Sequence, residues 1–305
     1  MQICRRERDA LLLEKKEEWG IVGHMKKWIV CLILPFILIS CGKKEKGEFN
    51  VAKRTEPTEN KHFVVLTMSY NNEKFVEENV RSVLAQDYAH FDWIYIDDCS
   101  KDATFKKVSA LVGDRPNVRL IRNEKNQGAM ANMYTAIHTL KPTDIVVILD
   151  GDDWFAHTQV LSHLNEYYAS DQVWLTYGQH IEYPKFTVGM CKPLKEKLLK
   201  PGGIRKAKFL FAHLRTFYAG LFQSISKEHF MKDGAFLEMG CDVASMIPMM
   251  EMAGNHSFFV RELLAVYNMS NPINDSKKNL ALQQEIDQYI RSLPAYKALK
   301  VLPQE

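Results

Sequence analysis

From His62 onward, short apolar runs alternate with amphipathic stretches. Phe63–Thr67, Trp93–Ile96, Asn117–Ile121 and Ile145–Leu149 are brief, mostly apolar runs bounded by polar residues, and they predict four buried strands. Between them, about Glu73–Ala85, Thr104–Leu111 and Ala129–Leu140 carry apolar residues at helical spacing. Strands that are apolar on both faces, separated by helices, specify an α/β fold with a mostly parallel sheet covered on both sides. Such sheets bind ligands in the crevice at the carboxyl ends of their strands. Three polar clusters, Thr67–Asn72, Asp97–Asp102 and Asp150–Asp153, fall at those ends, so one shared site is expected.

Beyond residue 155 the pattern loosens. Val173–Tyr177 reads as a strand, residues 183–206 as a loop rich in Pro, Gly and Lys, and 207–240 as mixed. A helix near Val243–Met252, interrupted by Pro248, precedes a strand near Leu263–Asn268. Residues 277–293 have the spacing of an amphipathic helix, and no internal repeat is present. The expected folded domain is 61–275, dividing into 61–155 and 156–275, with a helical tail over 276–305.

The N-terminus has a different character. Trp28–Ser40 is apolar, follows Lys26 and Lys27, and ends at Cys41-Gly42-Lys43-Lys44. A spanning helix needs about 20 apolar residues, so this shorter run with a basic start reads as a secretory signal over 25–41. Leu38-Ile39-Ser40-Cys41 resembles the bacterial lipobox, which implies a lipidated Cys41 and a membrane-associated, lipoprotein-type chain. A short uncleaved anchor is the alternative, and the side of the membrane stays open. Met25 is the expected start, with residues 1–24 a gene-model extension; 42–60 is polar and reads as a tether.

Composition narrows the functional classes. The chain has 305 residues, 25% of them charged, and a net charge of +3 with mixed signs, which argues against a nucleic-acid binder. Six cysteines, none in a C-x-x-C pair, leave zinc ribbons and thioredoxin-like chemistry unsupported. The acidic run Asp150-Gly151-Asp152-Asp153 carries the clearest chemistry. Three carboxylates within four residues repel one another unless a cation sits among them. Mg²⁺ or Mn²⁺ suits such oxygen donors and fills its other positions with water and substrate phosphates. The alternative is a solvated loop whose aspartates cap a helix beginning near His157.

These residues together resemble a known family. Thr67-Met68-Ser69-Tyr70-Asn71 with Ser82–Gln86, Ile96–Asp102, Asn126-Gln127-Gly128 with Asn132, and Leu149–Asp153 are similar, in order, to motifs of the family-2 glycosyltransferases of the GT-A fold. The resemblance covers Val64 to about Tyr168, with Cys99 where glycine is common. It implies a GT-A domain with a Rossmann-like N-terminal half that binds a nucleotide-diphosphate sugar, UDP-sugar favoured, and an acceptor half over 156–275.

In that reading Asp98 accepts from the base, Thr67 and Tyr70 line the nucleoside, and Asn126 belongs to the same loop. Capping of the next helix by Asp98 and Ser100 is the alternative. Asp152 binds the metal, Mn²⁺ or Mg²⁺, and Asp150 holds the ribose or the metal; Asp153 is left as a helix cap. Asp242, in Gly240-Cys241-Asp242, is similar in position to the family's base in inverting transfer, with N-capping the alternative and Glu251 in reserve. Arg215 either clasps the diphosphate or pairs with a surface carboxylate, and Cys99 is expected to be a packed thiol. Trp154 and Tyr177–Gln179 either stack on a sugar or belong to the core.

The Q-x-x-R-W element of processive members is absent, so transfer of one sugar to a glycan or lipid-linked acceptor is expected. A nucleotide-sugar or glycan-binding lipoprotein without turnover and a nucleotidyltransferase are the competing classes. The latter needs an early Gly-rich basic loop, which Thr67–Glu73 is not.

Overall fold

The computed structural model describes residues 50–209, 211–273 and 279–304. The signal, the lipobox and the suspected extension lie outside the described residues.

The four predicted strands form as β1 (Phe63–Ser69), β2 (Phe91–Asp97), β3 (Val118–Arg122) and β4 (Ile145–Ile148). They are parallel in the order β3-β2-β1-β4, with Phe63 beside both Phe91 and Ile145. Helices α1 (Val76–Leu84), α2 (Thr104–Val112) and α3 (Ala129–Ile137) connect them. Strand alternation divides the core. Val64, Leu66, Val146 and Ile148 meet α3 on one face, whereas Phe63, Val65, Ile145 and Val147 meet α1 and α2 on the other.

The sheet does not stop at β4. After β5 (Trp154–Phe155) and α4 (Val160–Tyr168), the chain adds β6 (Leu175–Tyr183) with a short hairpin partner β7 (Thr187–Val188). A four-residue helix, α5 (Gly203–Lys206), and β8 (Arg215–Tyr218) follow, then α6 (Ala219–Gln223) and a two-stranded ribbon, β9 (Met231–Lys232) with β10 (Ala235–Phe236). Helix α7 (Cys241–Ala253), β11 (Ser257–Asn268) and α8 (Leu280–Ser292) complete the described chain. Strand β8 lies antiparallel between β4 and β6, and β11 runs parallel to β6. The result is one nine-stranded mixed sheet, parallel in its first half.

Three expectations change here. Helix α7 is continuous through Pro248 rather than interrupted. It is buried on nearly every side, and this packing offsets the roughly 3 kcal/mol that an interior proline costs. Strand β6 runs on from Leu175 to Tyr183, past the expected end at Tyr177, where Gln179, His180 and Glu182 interrupt its apolar run. Strand β11 begins at Ser257, with Arg261-Glu262 breaking its apolar run where the register with β6 shifts. Among the described residues, no helix is long and apolar enough to cross a membrane.

Candidate functional site

The acidic run follows β4 directly and folds into a tight turn. Gly151 N–H donates to the Met68 carbonyl of β1, and Asp153 N–H to the Asp150 carbonyl. A Cβ at Gly151 would lie 2.5 Å from Ser69 Cβ and 2.9 Å from Asn72 Nδ2, so only glycine lets the turn sit this close to β1. The fully buried Asn79 of α1 donates its side-chain amide to the carbonyls of Asp150 (3.1 Å) and Asp153 (2.7 Å). Buried carbonyls need such partners.

The three carboxylates have separate neighbours. Asp150 is partly exposed and sits 3.2 Å from the buried guanidinium of Arg215 on β8. Asp152 accepts from the Asn271 amide at 2.7 Å, and Asn271 also donates to Asn72. Asp153 is buried and accepts from the Asn268 backbone N–H at 2.8 Å. It caps no helix, since α4 begins only at Val160. Burial, then the charges of Asp152 and Asp150, push the Asp153 carboxyl well above the usual carboxylate range. Its Oδ2 makes no hydrogen bond and faces His213 Nδ1 at 3.7 Å. Burial and Arg215 hold that imidazole well below its ordinary pKa, hence neutral.

A surplus of negative charge with oxygen donors and an orphaned buried carboxylate oxygen fits a hard divalent cation. The fit extends the expected ligand pair. Asp150, Asp153 and His213 bring donor atoms within 4.8 Å of one another, while Asp152 lies on the Asn271 side of the turn.

Asp242, the expected base, stands half-buried in the first turn of α7, over 90 residues from Asp150 in sequence. The two nonetheless share a field, since Arg215 feels Asp150, Asp242 and Asp153 together. Burial raises the Asp242 carboxyl above the ordinary range against the opposing pull of Arg215. Its Oδ1 accepts only the adjacent Val243 N–H, and it makes no side-chain cap of the helix. Arg215 is thus a buried organiser of the acidic group rather than the partner of a surface carboxylate.

Several expected residues sit differently. Glu251 is no base: its side chain is 4% exposed and held by both arms of Arg205 at 2.8 and 2.9 Å. Thr67 does not line the crevice, because it lies on the Phe63–Val65 face with its hydroxyl accepting from Trp93 Nε1. Tyr177 is core, with its hydroxyl donating to the Lys192 carbonyl. Trp154 is half-buried against Tyr183, and Gln179 donates to the Cys191 carbonyl.

Asp98 and Asn126 do come together. The Asp98 carboxylate accepts from Asn123 Nδ2 and from the N–H groups of Gln127 and Gly128, while Asn126 donates to the Asp98 carbonyl. Asp98 therefore organises the loop before α3 and is not a cap of α2; Asp102 accepts the Thr104 N–H there. Tyr70 is half-buried at the end of β1. Cys99 is half-exposed rather than packed, and its φ of +65° is the left-handed conformation that explains why glycine is common at this motif position.

Sequence reading missed the asparagines. Asn72, Asn79, Asn268 and Asn271 are all buried around the acidic turn. Buried asparagine is uncommon, but one sequence does not show which asparagines are buried.

Comparison with known proteins agrees with this arrangement. A model of the family described as glycosyl transferase family 2 matches residues 64–230, more than half of the chain. The UDP-Glc:alpha-D-GlcNAc-diphosphoundecaprenol beta-1,3-glucosyltransferase WfgD of Escherichia coli is 33% identical over 94 residues, covering 30% of this chain and 36% of that protein. Glycosyltransferases of Bacillus subtilis (strain 168) and E. coli (strain K12) are likewise spanned over only 35% and 40% of their lengths.

Among solved structures, the Pyrobaculum calidifontis mannosyltransferase in complex with GDP-Man and Mn²⁺ superposes with a TM-score of 0.58 at 20% identity, over 82% of this chain and 70% of that one. Staphylococcus aureus TarS 1-349 in complex with UDP gives 0.54 at 18%, over 70% and 61%. At these identities the likeness speaks for the GT-A fold alone. The family match, spanning the strand ends, the acidic turn and Arg215, carries the assignment: the chain belongs to glycosyl transferase family 2.

Proposed function

We propose that the domain transfers one sugar, with inversion, from a nucleoside-diphosphate sugar to an acceptor hydroxyl. The observation that carries this reading is the acidic turn at the end of β4, where Arg215 stands 3.2 Å from Asp150 and the partnerless Asp153 Oδ2 faces His213 at 3.7 Å. Asp98, through the loop it holds, and Tyr70 form the nucleoside end. Asp150 and Asp152, with Asp153 and His213 behind them, would hold Mn²⁺ or Mg²⁺. When bound, the cation neutralises the leaving diphosphate.

Asp242 removes the acceptor proton. A carboxyl raised by burial is a stronger base than a solvated one, and it must be ionised to act. Arg215, 3.2 Å from Asp150, opposes the rise that burial imposes on the Asp242 carboxyl. UDP is the favoured nucleotide, supported by the UDP-bound neighbour of the same fold. A lipid-linked glycan is the favoured acceptor, supported by the diphosphoundecaprenol in the name of one relative. The protein would work at a membrane, held by its N-terminal lipoprotein-type signal.

The test is to incubate the full chain and Mn²⁺ with a panel of UDP- and GDP-sugars and follow release of nucleoside diphosphate. Release with one donor supports transfer. Binding without release from any donor, with acceptor present, would leave a glycan-binding protein instead.

A further inference from the structure

Six large apolar side chains are exposed among the described residues, and three of them fall within five positions: Phe186 (55%), Val188 (54%) and Met190 (66%). They occupy the turn and return strand of the β6–β7 hairpin. Val188 pairs directly with Ile181, so the two share a face of the ribbon. Alternation places Tyr183 on the Ile181 face, and Met190 follows two residues after Val188. Phe186 packs its edge on Tyr183, which packs on Trp154. Ile181 belongs to a small cluster with Ala156 and Val266 that Trp154 and Tyr183 help to cover. The hairpin therefore carries this apolar cluster outward into solvent instead of closing it.

Charge is as uneven as hydrophobicity here. Between Lys185 and Lys208 there are seven exposed lysines and a single exposed acid, Glu196. Arg205 in the same stretch is buried and satisfied by Glu251. The chain's overall net charge is only +3, whereas the seven lysines and Arg205 against Glu196 leave this segment at +7, so the rest of the chain is net negative.

We infer that the β6–β7 hairpin and the lysines that follow it form a membrane contact, seated on an anionic phospholipid surface. Exposed apolar side chains beside aromatic ones enter the headgroup boundary, and lysines add attraction to anionic lipid. A soluble anionic polymer would satisfy the lysines but has no use for Phe186, Val188 and Met190. Trp154 adjoins Asp153, so the contact would set the acidic turn close to the bilayer. Its use in reaching a lipid-linked acceptor rests on the function proposed above; the contact itself does not.

The experiment incorporates the full chain into vesicles of phosphatidylcholine alone or mixed with phosphatidylglycerol, without sugar donor, and maps hydroxyl-radical oxidation. Oxidation of Met190 should fall severalfold on the anionic vesicles only, while the exposed Leu280 is oxidised equally on both. The triple variant Lys192→Glu, Lys195→Glu, Lys197→Glu should lose that protection and keep its circular dichroism and its donor turnover. Phe186→Ser with Val188→Ser should lose it too, at unchanged net charge.

Equal oxidation of Met190 on both vesicle types would overturn the inference. Protection already present without lipid would do so as well, pointing to a second copy or to the chain's own N-terminal segment. Equal protection by soluble polyphosphate would assign the surface to a polymer. Loss of donor turnover by the unmodified chain would count against the enzymatic reading and leave this surface untouched.

Discussion

The two halves of the sheet are built by different rules. Strands β1, β2 and β3 are laid down side by side and β4 crosses back beside β1, each connection carrying a short helix, and the polar residues at their ends converge because the strands are parallel. The second half is assembled from distant pieces. Strand β8 fits between β4 and β6, β11 returns to pair with β6 and with the two-residue β5, and α7 shares a core with Leu175, Tyr177 and Phe217. The first half thus supplies a generic nucleotide crevice. The second closes it with three long-range contacts: Arg215 to Asp150, Asn268 to Asp153 and Asn271 to Asp152.

If the acidic turn depends on the second half, Arg215→Gln should have the largest effect. It strips Asp150 of its cation partner and leaves Asp153 and Asp242 in a more negative field. Loss of about a hundredfold or more in kcat/KM is expected, comparable with removing one preorganised charge-stabilising donor. Near-normal kinetics would show that the first half arranges the turn unaided.

Arg205→Met separates the halves through stability. Glu251 would then be a buried carboxylate with its strongest partner gone, a loss of about 3–5 kcal/mol. Arg205 also ties down the Ile290 and Pro294 carbonyls of the tail. Hydrogen exchange should therefore accelerate in α7 and α8 while β1 and β2 keep their protection. Uniform acceleration would mean that the halves unfold as one unit.

Asn79→Leu acts wholly within the first half. Two carbonyls of the acidic turn lose their donor, at a cost of about 1–3 kcal/mol. Donor affinity measured by calorimetry should weaken, with turnover at saturation changed less. Cys99→Gly is the smallest change and has the opposite sign. It relieves a left-handed backbone, offset by the greater freedom of unfolded glycine, so a gain of about 1 kcal/mol or less is expected from denaturant unfolding.

The same contrast explains what could be read in the sequence. Phe63–Thr67 and Ile145–Leu149 announce themselves because a strand buried on both faces is apolar throughout, and the motifs at their ends lie close in sequence to what they touch. Asp150 and Asp152 were visible as chemistry for the same reason, whereas Asp242 was named only through the resemblance to the family's base motif. Strand β6 was cut short at Tyr177 because Gln179, His180 and Glu182 interrupt its apolar run, and β11 was shortened because Arg261-Glu262 sits at a register shift. Thr67 was misplaced because a period of two leaves open which face of β1 meets the crevice. Glu251 and Asp242 look equivalent as acids near one helix. Only tertiary packing gives the first a bidentate arginine and leaves the second beside the acidic turn.

The central claim is that Asp242, carried in from the second half, is the base for chemistry centred on the acidic turn of the first. Asp242→Asn keeps the shape of the side chain and removes its ability to take a proton. With the cognate donor, acceptor and Mn²⁺, sugar transfer should fall by a factor of about a thousand or more, while calorimetric binding of the nucleoside diphosphate stays unchanged. Transfer that survives in Asp242→Asn, or binding lost along with it, would contradict the account.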